Sequence, residues 1–457
     1  MTELDITRYL KPGAKAHLIG IGGVSMDPLA QVLHGMGVTV TGSDARESAA
    51  VDRLRSLGIP VAIGQRAENL GDAEIVIRTA AAHDDNPEVA GAHDRGIPVF
   101  ERAQAWGAIM RQYRNALCIS GTHGKTTTTG MCTHILLAGA MDPTVMIGAT
   151  LPVLNDEGHR VGRGDTILLE SCEYMDSFLS FFPTLAVVLN VDEDHLDYFT
   201  GLEDIAKSFR AFARLVPADT GLVVANGDDA NTMQALAGLD RPLITFGLAA
   251  GTAHAAGLKF VNGYGDFDLI WKDRAVTHVT LHVPGEHNVR NALAAAAACL
   301  SLGAAPEAVT KGLAEFTGAG RRFEFKGQVN GADVYDDYAH HPSELHALLT
   351  MAKSLGYKRV ICSFQPHTYT RTKALFHQLV DELKAADLTV LTDIFAARET
   401  DDLGVSSRDL AKEIPGSEYC PTLTELTARL RELAQPGDLI LTVGAGDIVT
   451  AGEALVK

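Results

Sequence analysis

Paired cysteines are missing from this chain. Its six cysteines (Cys118, Cys132, Cys172, Cys299, Cys362, Cys420) are scattered and form no C-x-x-C pair. That spacing argues against a zinc ribbon or a disulfide framework and fits a reducing compartment. Basic charge is scarce as well: the formal net charge is −18, and basic clusters are as short as Arg321-Arg322. An acidic chain is a poor partner for nucleic acid or an anionic membrane. The opening stretch, MTELDITRYLKPG, has no apolar signal core. The most apolar long run, NALAAAAACLSLG, falls short of the ~20 residues a bilayer span needs. The expectation is a cytoplasmic protein with no nucleic-acid partner and no membrane insertion.

Apolar residues make up 46% of the 457. A single core rarely grows beyond ~250–300 residues, so several domains are expected. Strand-like runs such as AHLIGIGG, VTVTGSD and EIVIRTAA alternate with helix-length segments. That alternation predicts parallel sheets wrapped by helices. A second series runs through NALCIS, TILLESCE and TLAVVLNVDEDH, and residues 246–285 read as antiparallel strands. FTGAGRRFEFKG, glycine-rich and charged, is the best linker, and a third α/β series follows it. The predicted fold is α/β in three domains, 1–100, 101–316 and 317–457. The first and last are Rossmann-like, and the central one is a P-loop-type ATPase domain.

CISGTHGKTTTTGM raises a question about its missing glycine. A phosphate loop reads G-x-x-x-x-G-K-[ST], and position 119 is isoleucine. The glycines still sit at a strand-to-helix turn, where unpaired N–H groups and the helix dipole suit phosphate. Gly121 and Gly124 allow close approach, Lys125 can reach terminal phosphates, and the Thr126 hydroxyl can hold Mg²⁺. Four β-branched threonines are a poor helix start on propensity alone. Glu170, Glu173, Asp192, Glu193, Asp194 and His195 follow apolar strands and gather at the same sheet edge. One carboxylate, Glu173, with Thr126 would serve one Mg²⁺, and Glu173 with a histidine a second.

Three further motifs carry chemistry. Asn288 and Asn291 share a helix face and can read a purine edge, although capping after Pro-Gly also explains them. GIGGVSM followed by Asp44 looks like an imperfect dinucleotide fingerprint, with Ser25 where the third glycine belongs. VYDDYAHHPSE crowds Asp336, Asp337, Tyr338, His340 and His341 into one strand-to-helix loop. Pro342, Ser343 and Glu344 there read as capping, which leaves the histidines unexplained.

Together GTHGKTTTT, ESCEYMDSFLSF, NVDEDHLDYF, PGEHNVRNALAA, GAGRRFE, DDYAHHPSE and FQPHTYTRT resemble the Mur ligases, and most of all their alanine-adding branch. The resemblance implies a UDP-sugar domain, a central ATPase and a closing C-terminal domain with a hinge near Gly318–Gly320. It implies ATP-driven joining of L-alanine to the lactyl carboxylate of UDP-N-acetylmuramate through an acyl phosphate, by a monomer or homodimer. It places Gly121, Thr122, His123, Gly124, Lys125, Thr126 and Thr127 on the phosphates, Asn288 and Asn291 on the base, and Arg322 and Asp337 nearby. It makes Thr126, Glu173 and His195 ligands of Mg²⁺ or Mn²⁺. Gly20, Gly22, Gly23, Ser43 and Asp44 become UDP contacts. Tyr338, His340, His341 and Arg371 fall on the amine side, with His340 a candidate base for the incoming ammonium.

The chain departs from that pattern in places. Thr368 stands where many alanine-adding relatives carry arginine, which opens glycine, serine or a preformed tripeptide as alternative substrates. Phe209 stands where the ligases adding later residues carry a modified lysine, and Lys207 is two positions off. Cys172 reads as a small packed side chain rather than a nucleophile. From another class, an NAD-dependent oxidoreductase would explain GIGGVSM but not GTHGKTTTT.

Overall fold

The computed structural model describes residues 5–457 apart from Val24, Ala80, Asp197, Arg398 and Asp401. Among these the strands form three sheets. The first is fully parallel, in the order Val61–Ile63, Thr39–Asp44, Lys15–Ile19, Ile75–Arg78, Val99–Glu101. The chain starts mid-sheet and winds outward both ways, so a crevice opens beyond the C-terminal end of Lys15–Ile19. Gly20 to Gly23 lie there.

The second sheet repeats this device. Asn115–Ser120 is flanked by the parallel strands Leu185–Val188 and Thr166–Glu170. Residues 116–120 of the first strand are all buried, as befits a parallel strand covered on both faces. Ile119 therefore belongs to the strand core, not to the loop. The three neighbouring C-terminal ends deliver GTHGKT, ESCE and NVDEDH to one edge. At the far side, Ala253–Val261, Tyr264–Trp271 and Arg274–Pro284 form the expected antiparallel meander.

The helix Lys125–Ala138 opens at Gly124 and packs on Glu286–Ser301 and Pro306–Glu315. Its threonine run is sustained by back-bonding: Thr129 donates to the Lys125 carbonyl and Thr133 to the Thr129 carbonyl, both at 2.8 Å. Gly312 lets the helices meet, since a Cβ there would fall 2.5 Å from Ile135 Cα. Ala292 to Ala298 are buried in this layer. Among the described residues no helix is long and apolar enough to cross a membrane.

The third sheet runs Glu324–Val329, Ala332–Asp337, Asp438–Val443, Arg359–Phe364, Leu388–Leu391, Glu418–Tyr419. Its first strand is antiparallel to its neighbour and the rest are parallel. Glu324–Val329 begins inside FTGAGRRFEFKG, so the connection is shorter than the linker composition indicated.

Candidate active site

The phosphate loop is held by the neighbouring strand end. His123 N donates to Asn190 Oδ1 at 2.7 Å, and Asn190 Nδ2 donates to the His123 carbonyl at 3.0 Å. Thr122 is buried, its hydroxyl accepting from Asp192 N at 2.9 Å. Gly124 has φ +82°, and a Cβ there would lie 2.7 Å from Asn291 Oδ1. Lys125 Nζ donates to the Gly121 carbonyl (2.5 Å), the Thr122 carbonyl (3.0 Å) and Glu173 (2.9 Å). Burial works against its charge, but Glu173 outweighs burial and raises its pKa.

The predicted ligand trio is split around this lysine. Thr126 Oγ1 donates to Glu170 Oε1 at 2.9 Å, so its carboxylate partner is Glu170, not Glu173. Glu170 also accepts from Gly148 N at 2.7 Å. Glu173, buried, stands 4.0 Å from His195 Nε2, and His195 stacks on Tyr174 at 4.6 Å. His195 has φ +54°, a left-handed backbone uncommon outside glycine. The Lys125 ammonium occupies the cation position beside Glu173. Thr126, Glu170 and Glu173 supply the oxygen donors that Mg²⁺ prefers, and the His195 nitrogen also suits Mn²⁺. Cys172 is exposed, not packed.

A cavity of about 540 Å³ opens beside the loop, lined by His123, Gly124 and Thr127, by Asn288 and Asn291, and by third-domain residues including Arg322 and Asp337. The two amides bond each other: Asn291 Nδ2 donates to Asn288 Oδ1 at 3.1 Å, and Asn288 Nδ2 donates to the Pro284 carbonyl at 2.7 Å. They line the cavity without presenting two free amide edges. Arg322 Nη2 reaches Thr126 Oγ1 at 3.5 Å. Asp337 accepts from Phe323 N and Ala339 N at 2.7 and 2.8 Å, and burial pushes its carboxyl up to about 6. The Tyr338 ring lies 5.0 Å from each of the Arg321 and Arg322 guanidinium carbons, so it braces these arginines.

Where the second and third domains meet, four contacts line up. His123 Nδ1 lies 3.4 Å from Glu344 Oε1, Ser343 Oγ donates to Asp192 at 2.6 Å, His341 Nε2 donates to the Glu193 carbonyl at 2.8 Å, and Arg371 pairs with Asp194 at 3.0 Å. Burial alone would lower the pKa of His123, but Asp192 and Glu344 push it up to about 9. Its ligand atoms, with those of Asp192 and His341, lie within 4.8 Å of one another, a spacing that also suits a metal. Both His341 nitrogens are taken, however, since Nδ1 accepts from Ser343 N at 3.3 Å. This sets His341 in the interface as a helix cap rather than as a free substrate contact.

Next to these contacts is a smaller cavity of about 360 Å³, lined by His195, Asp194, His367, Thr368, Arg371 and Glu399 among others. Burial lowers the pKa of His340 and takes that of His367 down to about 4, so both rings are neutral at pH 7. His367 Nδ1 accepts from Arg371 Nη1 at 3.1 Å. Thr368 caps the helix Tyr369–Ala374 that carries Arg371, its hydroxyl accepting from Arg371 N at 3.4 Å.

In the first domain Gly20, with φ +74°, and Gly23 shape the turn, and Gly22 N donates to Asp44 Oδ2 at 2.9 Å. Ser43 is the exception among the predicted contacts. It is fully buried and donates to the buried Glu88 at 2.5 Å, while its carbonyl accepts from Gly20 N at 2.8 Å. Ser43 thus builds the loop from behind instead of lining its mouth.

Three consecutive family profiles match the chain: "Mur ligase family, catalytic domain" over residues 15–114, "Mur ligase middle domain" over 119–299, and "Mur ligase, glutamate ligase domain" over 321–446. The chain belongs to the Mur ligase family. Among its relatives, the UDP-N-acetylmuramate–L-alanine ligase of Acetivibrio thermocellus is 45% identical, covering 96% of this chain and 95% of the relative. The enzyme of that name from Caldanaerobacter subterraneus subsp. tengcongensis is 43% identical over 100% and 99%. The crystal structure of UDP-N-acetylmuramate-alanine ligase from Thermotoga maritima superposes with a TM-score of 0.80 at 29% identity, covering 97% and 98%. A murein peptide ligase from Psychrobacter arcticus matches at 0.73 and 23% identity over 97% and 100%, a likeness of fold alone.

Some parts of this Mur ligase's site escaped sequence reasoning. Glu170 was visible as a strand-end acid but not assigned to Thr126. Glu344 was read as a cap, which it is, but its second carboxylate oxygen faces His123. Glu88 and Glu399 left no signal, because a lone acid in a loop or helix does not announce a buried partner. Glu399 accepts from Tyr369 N and from Thr370 N, at 3.1 Å for the latter, and so holds the start of the Arg371 helix.

Proposed function

We propose that this Mur ligase joins L-alanine to the lactyl carboxylate of UDP-N-acetylmuramate, consuming ATP and passing through an acyl phosphate. The observation that carries this reading is a pair of cavities along the segment that follows Leu185–Val188, the larger lined by Leu189 and Asn190 and the smaller by Glu193, Asp194 and His195. The larger lies beside the phosphate loop, and the smaller is lined by Arg371 and His195. Relatives with that activity in their names match over nearly the whole chain. We assign residues 1–100 to the UDP-sugar, 101–316 to ATP and 317–457 to the amine side and closure.

A carboxylate is a poor electrophile at pH 7, and phosphorylation gives it a leaving group. The sugar's carboxylate oxygen attacks the γ-phosphorus and ADP departs. The alanine ammonium gives a proton to His340, its nitrogen attacks the acyl carbon, and phosphate leaves with the second N–H proton. Lys125, turned from Glu173 to the phosphates, and Arg322 offset the developing charge. Thr126, Glu170, Glu173 and His195 would hold Mg²⁺ or Mn²⁺, which when bound neutralises phosphate charge. Arg371, held against Asp194 here, is the guanidinium that would turn to the amino-acid carboxylate, and it lines the smaller cavity.

The test is ATP-dependent phosphate release with UDP-N-acetylmuramate and alanine, glycine, serine or the tripeptide. Alanine is expected to give the highest kcat/KM. Release without the sugar, or a preference for the tripeptide, would overturn the reading. Glu173→Gln is expected to raise the Mg²⁺ requirement about 10- to 100-fold. An unchanged Mg²⁺ titration would clear Glu173 of a metal role.

A further inference from the structure

We propose that Glu344 is a positioning residue that ties the phosphate loop to the base of the amine step, so that docking of the third domain aligns His340. The proposal rests on the functional reading above. A capping box needs one carboxylate oxygen on the backbone at the helix start. Glu344 Oε2 does this, accepting from His340 N at 3.0 Å and His341 N at 3.3 Å. The remaining geometry exceeds a cap. Oε2 also lies 3.3 Å from His340 Nδ1, and Oε1 lies 3.4 Å from Nδ1 of His123, which belongs to the phosphate loop of the other domain.

The consequence for His340 follows from its neighbours. Its Nδ1 faces two acceptors, the Tyr338 carbonyl at 3.1 Å and Glu344. Nδ1 therefore carries the proton, and Nε2 is left as the acceptor. The ammonium first gives one proton to Nε2; the free amine nitrogen then bonds to the acyl carbon, the C–O electron pair leaves with phosphate, and phosphate carries away the second N–H proton. The imidazolium so formed is stabilised by the Glu344 carboxylate. Burial would raise the pKa of Glu344, but His340, His123 and Arg322 hold it well below the ordinary range, so it stays charged for this task. His123 is braced in turn by Asp192 at 3.3 Å, and Asp192 accepts from Ser343 of the docked domain. The loop that takes the triphosphate and the ring that takes the proton thus share one carboxylate.

The test compares two nucleophiles in the full-length enzyme with ATP, Mg²⁺ and UDP-N-acetylmuramate. Alanine arrives as an ammonium and needs a base. Hydroxylamine is neutral at pH 7, needs none, and converts the acyl phosphate to a hydroxamate. Glu344→Gln is expected to lower kcat with alanine about 10²-fold while hydroxamate formation and the KM values for ATP and sugar hold. Glu344→Asp, which keeps the charge, recovers part of the loss and supplies the same comparison if the glutamine variant does not fold. Equal losses with both nucleophiles, or no loss with either, overturn the proposal. A wild-type protein that consumes no ATP with this sugar and any nucleophile would remove the functional reading instead, and this shows before any variant is compared.

Discussion

The molecule contains two glycine turns built alike and charged differently. Both leave the end of a strand flanked on each side by parallel strands and enter a helix, Met26–Gly35 in one and Lys125–Ala138 in the other. Both need their glycines: a Cβ on Gly20 would lie 2.7 Å from Thr79 Cγ2, as one on Gly124 would from Asn291 Oδ1. The first turn carries no charged side chain of its own and is answered by the acid Asp44. The second carries Lys125 and is surrounded by Glu170, Glu173 and Asp192. A turn answered by a carboxylate suits hydroxyls and a backbone-held diphosphate, whereas a buried ammonium suits a triphosphate that must be moved. The scaffold is shared, and the task is set by side chains at its rim.

Removing the ammonium breaks the comparison most sharply. Lys125→Ala is expected to cut kcat about 10³-fold, the scale of losing a group aimed at transition-state charge. It also strands Glu173, which is 2% exposed, and so should cost about 3 kcal/mol of stability. Adding Glu173→Gln restores the unfolding midpoint but not turnover. Near-wild-type turnover in Lys125→Ala would mean that the second turn works through its backbone, as the first does.

The scaffold was far more legible in the sequence than the rim. Alternation of apolar runs and helices yielded three α/β units, because parallel strands covered on both faces must be continuously apolar. The glycines and Lys125 were visible because few residues fit such a turn. Pairings were harder to see. Thr126 lies 44 positions from Glu170, and His123 is 221 positions from Glu344; chain spacing holds no trace of such a contact until the sheets bring the ends together. Ser43 misled for the same reason. A serine beside Asp44 looks like a ligand group, and only the buried Glu88 shows that it turns inward. The asparagine pair was correctly placed on one helix face, but its mutual hydrogen bond depends on the helix being packed.

Removing the acid from the first turn tests the other side of the comparison. Asp44→Ala frees Gly22 N and deletes the carboxylate it donates to. The expected result is a loss of about tenfold in UDP-sugar affinity, the scale of one charge-assisted hydrogen bond, with ATP affinity unchanged. Isothermal titration of each ligand separately measures both. A fall in ATP affinity alone would exchange the roles assigned to the two turns.

A last comparison separates the turns by pH. Gly20 to Gly23 have no titrating side chain, while His123 is held at about 9 between Asp192 and Glu344, with the His341 ring 4.9 Å away. Asp192 and Glu344 are both held below the ordinary carboxylate range and stay ionised near neutrality. A histidine whose pKa rises on folding stabilises the folded state fully below its unfolded value of ~6.5, and that stabilisation is lost as pH climbs through about 9. Wild-type protein should therefore lose ~2 kcal/mol between these limits beyond what His123→Gln loses. Thermal unfolding of both proteins across this range measures the difference. Parallel curves would show that the contact between the phosphate loop and the third domain does not depend on the His123 proton, and the two turns would then differ in Lys125 alone.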